Sequence, residues 1–260
     1  MKRGFVVAAL ATLSMLIAAC GGTPAVALGS TAVGSLTSGA GGGGAPSRFT
    51  FPAPPPRSTA RVLGIAIHLQ DHNLTCEAAA LKMALAYEGI SVNELTLLGY
   101  MTLDPRPAVF SNHRLVRWGD PERGFVGNPD GHIQAYTGYG VYFGPVAAAA
   151  VRAGAHVLES GSGLYGPAIP VADIYNAVLA GHPVVAWISN TYHRVALAHY
   201  IAYDGSAVAY TLTEHAVTIT GVRPDAVLIN DPWFGQAWHP KAQFESAYST
   251  FSGMAVVVGS

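Results

Sequence analysis

Cysteine is scarce in this chain of 260 residues: Cys20 and Cys76 are the only two. A scaffold stapled by internal disulfides is therefore excluded. Charge is scarce as well, at 11% of residues with 14 basic against 15 acidic. Nothing in that balance offers the basic footprint by which nucleic acid is held, so no nucleic-acid partner is expected. The apolar run at 4–19 is too short and too poorly flanked to be a stable membrane span. No serine sits in a nucleophile elbow. The histidine pairs His68 and His72, and His193 and His199, lack metal-ligand spacing, so neither a metal nor a cofactor is expected. Residues 161–166 match a dinucleotide fingerprint by letters, but Pro167 and Pro170 fall where its helix would have to run.

What is present begins with an export signal. Lys2 and Arg3 precede the apolar run, which ends in Leu16-Ile17-Ala18-Ala19-Cys20-Gly21. This resembles a bacterial lipoprotein signal, with Ile17 where leucine is usual, and implies that Cys20 is lipidated and becomes the mature N-terminus. The expectation is export and a lipid anchor on the outer side of the cell membrane, with an ordinary cleaved secretory signal, which also exports the chain, as the alternative. Residues 21–60 contain no acidic residue, carry Gly41 to Gly44 in a row and end in a proline cluster. They read as a tether reaching roughly 35 Å. From residue 61 to 260 the composition is globular, long enough for one core. The domain reading is thus signal 1–20, linker 21–60 and catalytic-type domain 61–260.

With Cys20 lipidated, Cys76 is the one thiol left in an oxidising compartment, either inert or kept for its reactivity. Its surroundings read as a loop that feeds a helix. Asp71, His72, Asn73 and Thr75 offer capping side chains, helix formers follow, and Gly89 is placed as the stop. Cys76 falls in the first turn, where unpaired N–H groups and the helix dipole favour a thiolate. The expectation is a thiol of lowered pKa.

Further along, a short strand is expected at 62–69 and a second helix at 92–100 capped by Ser91. A long irregular stretch at 101–144 comes next, then helices at 145–154 and 171–180. Strands follow at 184–189, 196–203, 211–222, 226–230 and 255–258, with a short helix near 243–250. Helices first and strands second argue α+β with an antiparallel sheet.

Two of those strands carry a second constellation. Alternation puts His215 on the buried face with Val217 and Ile219, leaving Glu214, Thr218 and Thr220 on the other, with Glu214 read as solvent-facing. Residues 222–225 are a turn signal. A hairpin centred on Arg223 sets His215 opposite Asp231, close enough for a carboxylate to hold an imidazole N–H. A register shifted by one would offer Asn230 instead, on the wrong face. Cysteine, histidine and acid make a nucleophile, base and orienter. Gln70, six residues before Cys76, is placed to complete an oxyanion hole with the Cys76 backbone N–H.

Glutamine, cysteine six residues on, a helix, then a distant histidine and aspartate resemble the papain-like cysteine peptidases of family 39, which process double-glycine leaders. The segments at 124–129, 137–142, 214–217 and 230–232 are similar to those of exported stand-alone members. Thr75-Cys76-Glu77 replaces the frequent Asp-Cys-Gly. The resemblance implies a papain-like α+β fold and hydrolysis of peptide bonds in a peptide or protein substrate. Cys76, His215, Asp231 and Gln70 would be the working residues, with no cofactor. A cell-envelope amidase or acyltransferase on the same thiol machinery, or a catalytically silent binding module, are the alternatives. Substrate preference and oligomeric state stay open.

Overall fold

The structure, a computed structural model, describes residues 59–259. The expected signal, Cys20 and nearly all of the expected linker lie outside them. The described part is α+β, with five α-helices, a main antiparallel sheet and two smaller sheets of mixed direction. The helices are α1 (Cys76–Tyr87), α2 (Glu94–Tyr100), α3 (Phe143–Arg152), α4 (Val171–Ala180) and α5 (Lys241–Tyr248). None is long and apolar enough to cross a membrane.

The main sheet has seven strands. Its order is Gly235–Pro240, Ala226–Asp231, Glu214–Val222, Val184–Ser189, Ala255–Gly259 and His156–Gly161, with Arg61–Val62 also paired to Glu214–Val222. Every pairing in it is antiparallel. Helices cover both faces. Leu81, Ala84 and Leu85 of α1 and Val146, Ala149 and Ala150 of α3 pack with Val185, Trp187, Ala216 and Val256. Ile174, Ala177 and Val178 of α4 and Phe244 and Ala247 of α5 pack with Val184, Ala186, Val217, Ile219 and Ile229. All nine residues of Glu214–Val222 are buried, so this strand has no solvent face at all.

Local departures from expectation have local causes. Strand pairing at the start of the domain stops at Val62, after which Leu63 and Ile65 turn into the core. Asn93, not Ser91, caps α2, its side chain accepting the Thr96 N–H at 2.7 Å. Helix α3 starts two residues before Pro145, which fits because first-turn N–H groups have no helical partner. Residues 101–144 are not irregular. They contribute strands to a four-stranded sheet with Ala198–Ala202 and Ala207–Tyr210, and form a three-stranded sheet of their own. Strands His156–Gly161, Ala207–Tyr210 and Gly235–Pro240 had no expectation at all.

Candidate active site

Helix α1 begins at Cys76, and Gly89, at φ +78°, lies just past its end. Thr75 is the N-cap but its hydroxyl does not cap the helix; it turns to the buried carboxylate of Glu94. Glu94 also accepts the Asp71 N–H and pairs with His68 Nε2 at 2.8 Å, which pins the loop between Gln70 and Cys76. The chain thereby delivers Cys76 to the end of the Glu214–Val222 strand. There the Cys76 Sγ accepts the Ala216 N–H at 3.4 Å.

His215 and Asp231 meet as expected. His215 Nε2 lies 2.8 Å from Asp231 Oδ1, and each side chain is 2% exposed. The register differs from the expectation, however. The strands pair Thr218 with Asn230 and Ile219 with Ile229, with a bulge before Gly221, so the hairpin turns one residue later than Arg223. Continued one step, that pairing sets Asp231 across from Val217, and the contact with His215 runs diagonally along one face. Asn230 is not on the imidazole; its amide donates to Ile65 O at 3.0 Å and its oxygen accepts from Gln236. Asp231 Oδ1 also accepts the N–H groups of Trp233 at 2.8 Å and Phe234 at 3.2 Å. Burial alone would raise the Asp231 carboxyl, but the His215 bond and these two N–H groups win and hold it below the usual value. The Trp233 ring lies 5.5 Å from the His215 ring and shields it.

Cys76, His215, Gln70, Asn73, Asn190, Glu214 and Trp233 line one narrow crevice with room for about one water. It adjoins an open groove of about 440 Å³ between the 69–74 loop, the 131–134 loop and Trp233. Gln70 lines both. Its Nε2 donates to His72 O at 2.7 Å, which leaves one amide hydrogen, and its Oε1 is buried without a partner.

Two acids at the thiol were not foreseen in these positions. The Cys76 Sγ–H donates to Glu77 Oε2 at 3.4 Å rather than to the His215 ring. Glu77 is fully buried, and its Oε1 accepts the Val141 N–H at 2.6 Å. Glu214, expected in solvent, is 6% exposed beside it, with Oε1 unpartnered. Burial, then the neighbouring Glu77 and Glu214, push the Cys76 thiol well up, which overturns the expected lowered pKa. Burial also raises both carboxyls, with Glu94 adding to the effect at Glu77 and Glu77 adding to it at Glu214. Gly140 makes the enclosure possible: a Cβ there would sit 2.2 Å from Glu77 Oε1. Sequence offered one signal for this, a glutamate directly after the cysteine and another directly before the histidine.

A cysteine at a helix start against an antiparallel sheet that carries a buried His–Asp pair defines the C39 peptidase-like class. The chain belongs to the Peptidase_C39 like family, whose profile matches residues 62–256. It is similar to YvpB of Bacillus subtilis, an uncharacterized protein, at 29% identity over 70% of this chain and 68% of that one. Among solved structures it is similar to a protein of Bacillus anthracis assigned as a C39-like peptidase, with 25% identity and a TM-score of 0.64. That likeness covers 78% of this chain and 98% of the other. A double-glycine-motif protease from an AMS/PCAT transporter, solved with its leader peptide, stands further off at 16% identity and a TM-score of 0.42. It spans 80% of this chain and 99% of that protease.

Proposed function

We propose that this protein is an exported, lipid-anchored cysteine peptidase that cleaves peptide bonds through Cys76. The observation that carries the reading is the convergence of Cys76, His215 and Gln70 on one crevice, with Asp231 fixed to the far nitrogen of the imidazole. With Nε2 committed to Asp231, Nδ1 is the ring nitrogen left to take the thiol proton. The sulfur then attacks the scissile carbonyl carbon. The Cys76 backbone N–H and the free Gln70 amide hydrogen stabilise the oxyanion, and His215 returns the proton to the leaving amine. Water next enters, gives its proton to His215 and hydrolyses the thioester, which restores the thiol. The open groove beside Gln70 and Trp233 supplies room for an extended peptide.

Profiling of new protein termini in the cell envelope, with wild-type protein against Cys76→Ala, tests the activity. Termini that depend on Cys76 are expected, and an unchanged profile speaks against peptide hydrolysis. The anchor is tested separately by Cys20→Ser, which should release the protein from membranes and abolish labelling by a palmitate analogue. Labelling that survives the substitution removes the lipoprotein reading.

A further inference from the structure

Two groups of metal-ligand side chains lie among the described residues, and they differ in kind. In the first, His68, Asp71 and Glu94 come together, but the place of a cation is taken. Lys82 Nζ sits 3.1 Å from His68 Nε2, and Glu94 already receives Thr75, Asp71 and His68.

The second group is Cys76, Glu77 and Glu214, all buried, with one ligand atom from each lying within 4.8 Å of the others. Cys76 Sγ and Glu77 Oε2 are 3.4 Å apart. A tetrahedral zinc ion, with bonds of about 2.3 Å to sulfur and about 2.0 Å to oxygen, spaces neighbouring ligand atoms by roughly 3.5 Å. Side-chain adjustment alone therefore suffices. Two further atoms point the same way. Glu214 is 6% exposed and its Oε1 has no partner, and the Oε1 of Gln70 is likewise buried and unpartnered. Both residues line the crevice of Cys76. A site with a sulfur and orphaned acceptor oxygens, and space for about one small occupant, lacks a donor or a cation.

We propose that the crevice binds one thiophilic divalent cation, typified by Zn²⁺, through Cys76 Sγ, Glu77 and Glu214, and that the ion blocks the nucleophile. The sulfur binds as thiolate and Glu77 and Glu214 as carboxylates, the thiol proton and any carboxyl protons leaving to solvent, and no electron is transferred. Such an ion holds the thiol out of reach of electrophiles and oxidants until a chelator removes it. Sequence spacing could not signal the site, because the fold alone brings Glu214 to the Cys76–Glu77 pair.

The test uses the full chain carrying Cys20→Ser, so that Cys76 is the only thiol, stripped with EDTA and titrated with Cd²⁺. An ultraviolet thiolate-to-cadmium band saturating at one equivalent is expected, with equimolar Zn²⁺ displacing the cadmium. Zn²⁺ should slow iodoacetamide alkylation of Cys76 at least tenfold, EDTA should reverse this, and Mg²⁺ should not reproduce it. Glu77→Gln and Glu214→Gln should each weaken Cd²⁺ binding at least tenfold while leaving the band at saturation. No band in the folded protein, or no protection by equimolar Zn²⁺, overturns the proposal. Unweakened binding in both glutamine variants also overturns it, since a lone thiol would then be the ligand. Should a variant fail to fold, the protection experiment on the parent chain decides. Because every readout is binding at Cys76, the absence of any hydrolytic activity would leave this site standing.

Discussion

His215 Nε2 and Asp231 Oδ1 are 2.8 Å apart although the hairpin sets them diagonally, not across from one another. The contact survives the register because both side chains occupy the same face, and because the Trp233 and Phe234 N–H groups hold the carboxylate in place. Asp231 therefore has a structural part beside the catalytic one proposed for it. Asp231→Ala orphans the buried imidazole, costing about 1–3 kcal/mol if it stays unsatisfied, and removes the acceptor of two part-buried backbone N–H groups. Its melting temperature should drop by several degrees, since each kcal/mol is worth roughly 2–4 °C in a domain of this size. Asp231→Asn keeps the acceptor oxygen and should melt closer to wild type, yet lose peptide turnover by at least roughly a hundredfold, an effect on the scale of general base catalysis. Thermal melts and turnover on the two variants check this. Equal turnover in wild type and Asp231→Asn would remove the orienting role.

The thiol and Glu77 give a second expectation, read on EDTA-treated protein with Cys20→Ser. Burial and the two acids hold Cys76 protonated, so alkylation at pH 7 should be slower than in the denatured chain, rising only at alkaline pH. Glu77→Gln removes the acceptor of the thiol hydrogen and the negative charge that Glu77, titrating at about 7, carries in part at this pH. The variant should alkylate several-fold faster at the same pH, because one pKa unit is about tenfold in thiolate. A slower or unchanged rate would show that Glu77 does not restrain the thiol.

Stability should fall as pH rises through neutrality. Glu77 and Glu214 titrate above the ordinary value of 4.5, chiefly through burial, and Glu122 is pushed up to about 7 in the same way. Above 4.5 the unfolded chain gives up protons that the folded chain keeps, so their contribution is complete at lower pH and lost as pH climbs. Asp231 acts oppositely, its contribution present above 3.8 and lost only as pH falls below that. The melting temperature should thus be several degrees lower at pH 8 than at pH 5, and Glu214→Gln should shrink the difference. A melting temperature that rises between pH 5 and pH 8 would contradict the buried-acid cluster.

Much of this site was legible before any coordinates. The helix of Cys76 announced itself by its formers and by Gly89, and the two strands by β-branched runs around a turn signal. His215 and Asp231 were placed on one face because a register error of two preserves the face, whereas an error of one would have lost it. Glu214 was misread for a definite reason. Alternation separates core from solvent only when one face is wet, and here α1 covers the face that Glu214 shares with Ala216 and Thr218. The strands between 101 and 144 are two to five residues long and were hidden among glycines and prolines, too short to show a period. The reversed setting of the thiol pKa was invisible as well, since it depends on burial and on an acid 138 positions away in sequence from Cys76.

In the proposed function Cys76 breaks peptide bonds with help from His215. The most direct measurement is mass spectrometry of a peptide library incubated with EDTA-treated full-length protein, run beside Cys76→Ala and His215→Ala. New peptide termini are predicted with wild-type protein and with neither variant. Termini that persist in Cys76→Ala, or that never form with the wild-type chain, would contradict the account.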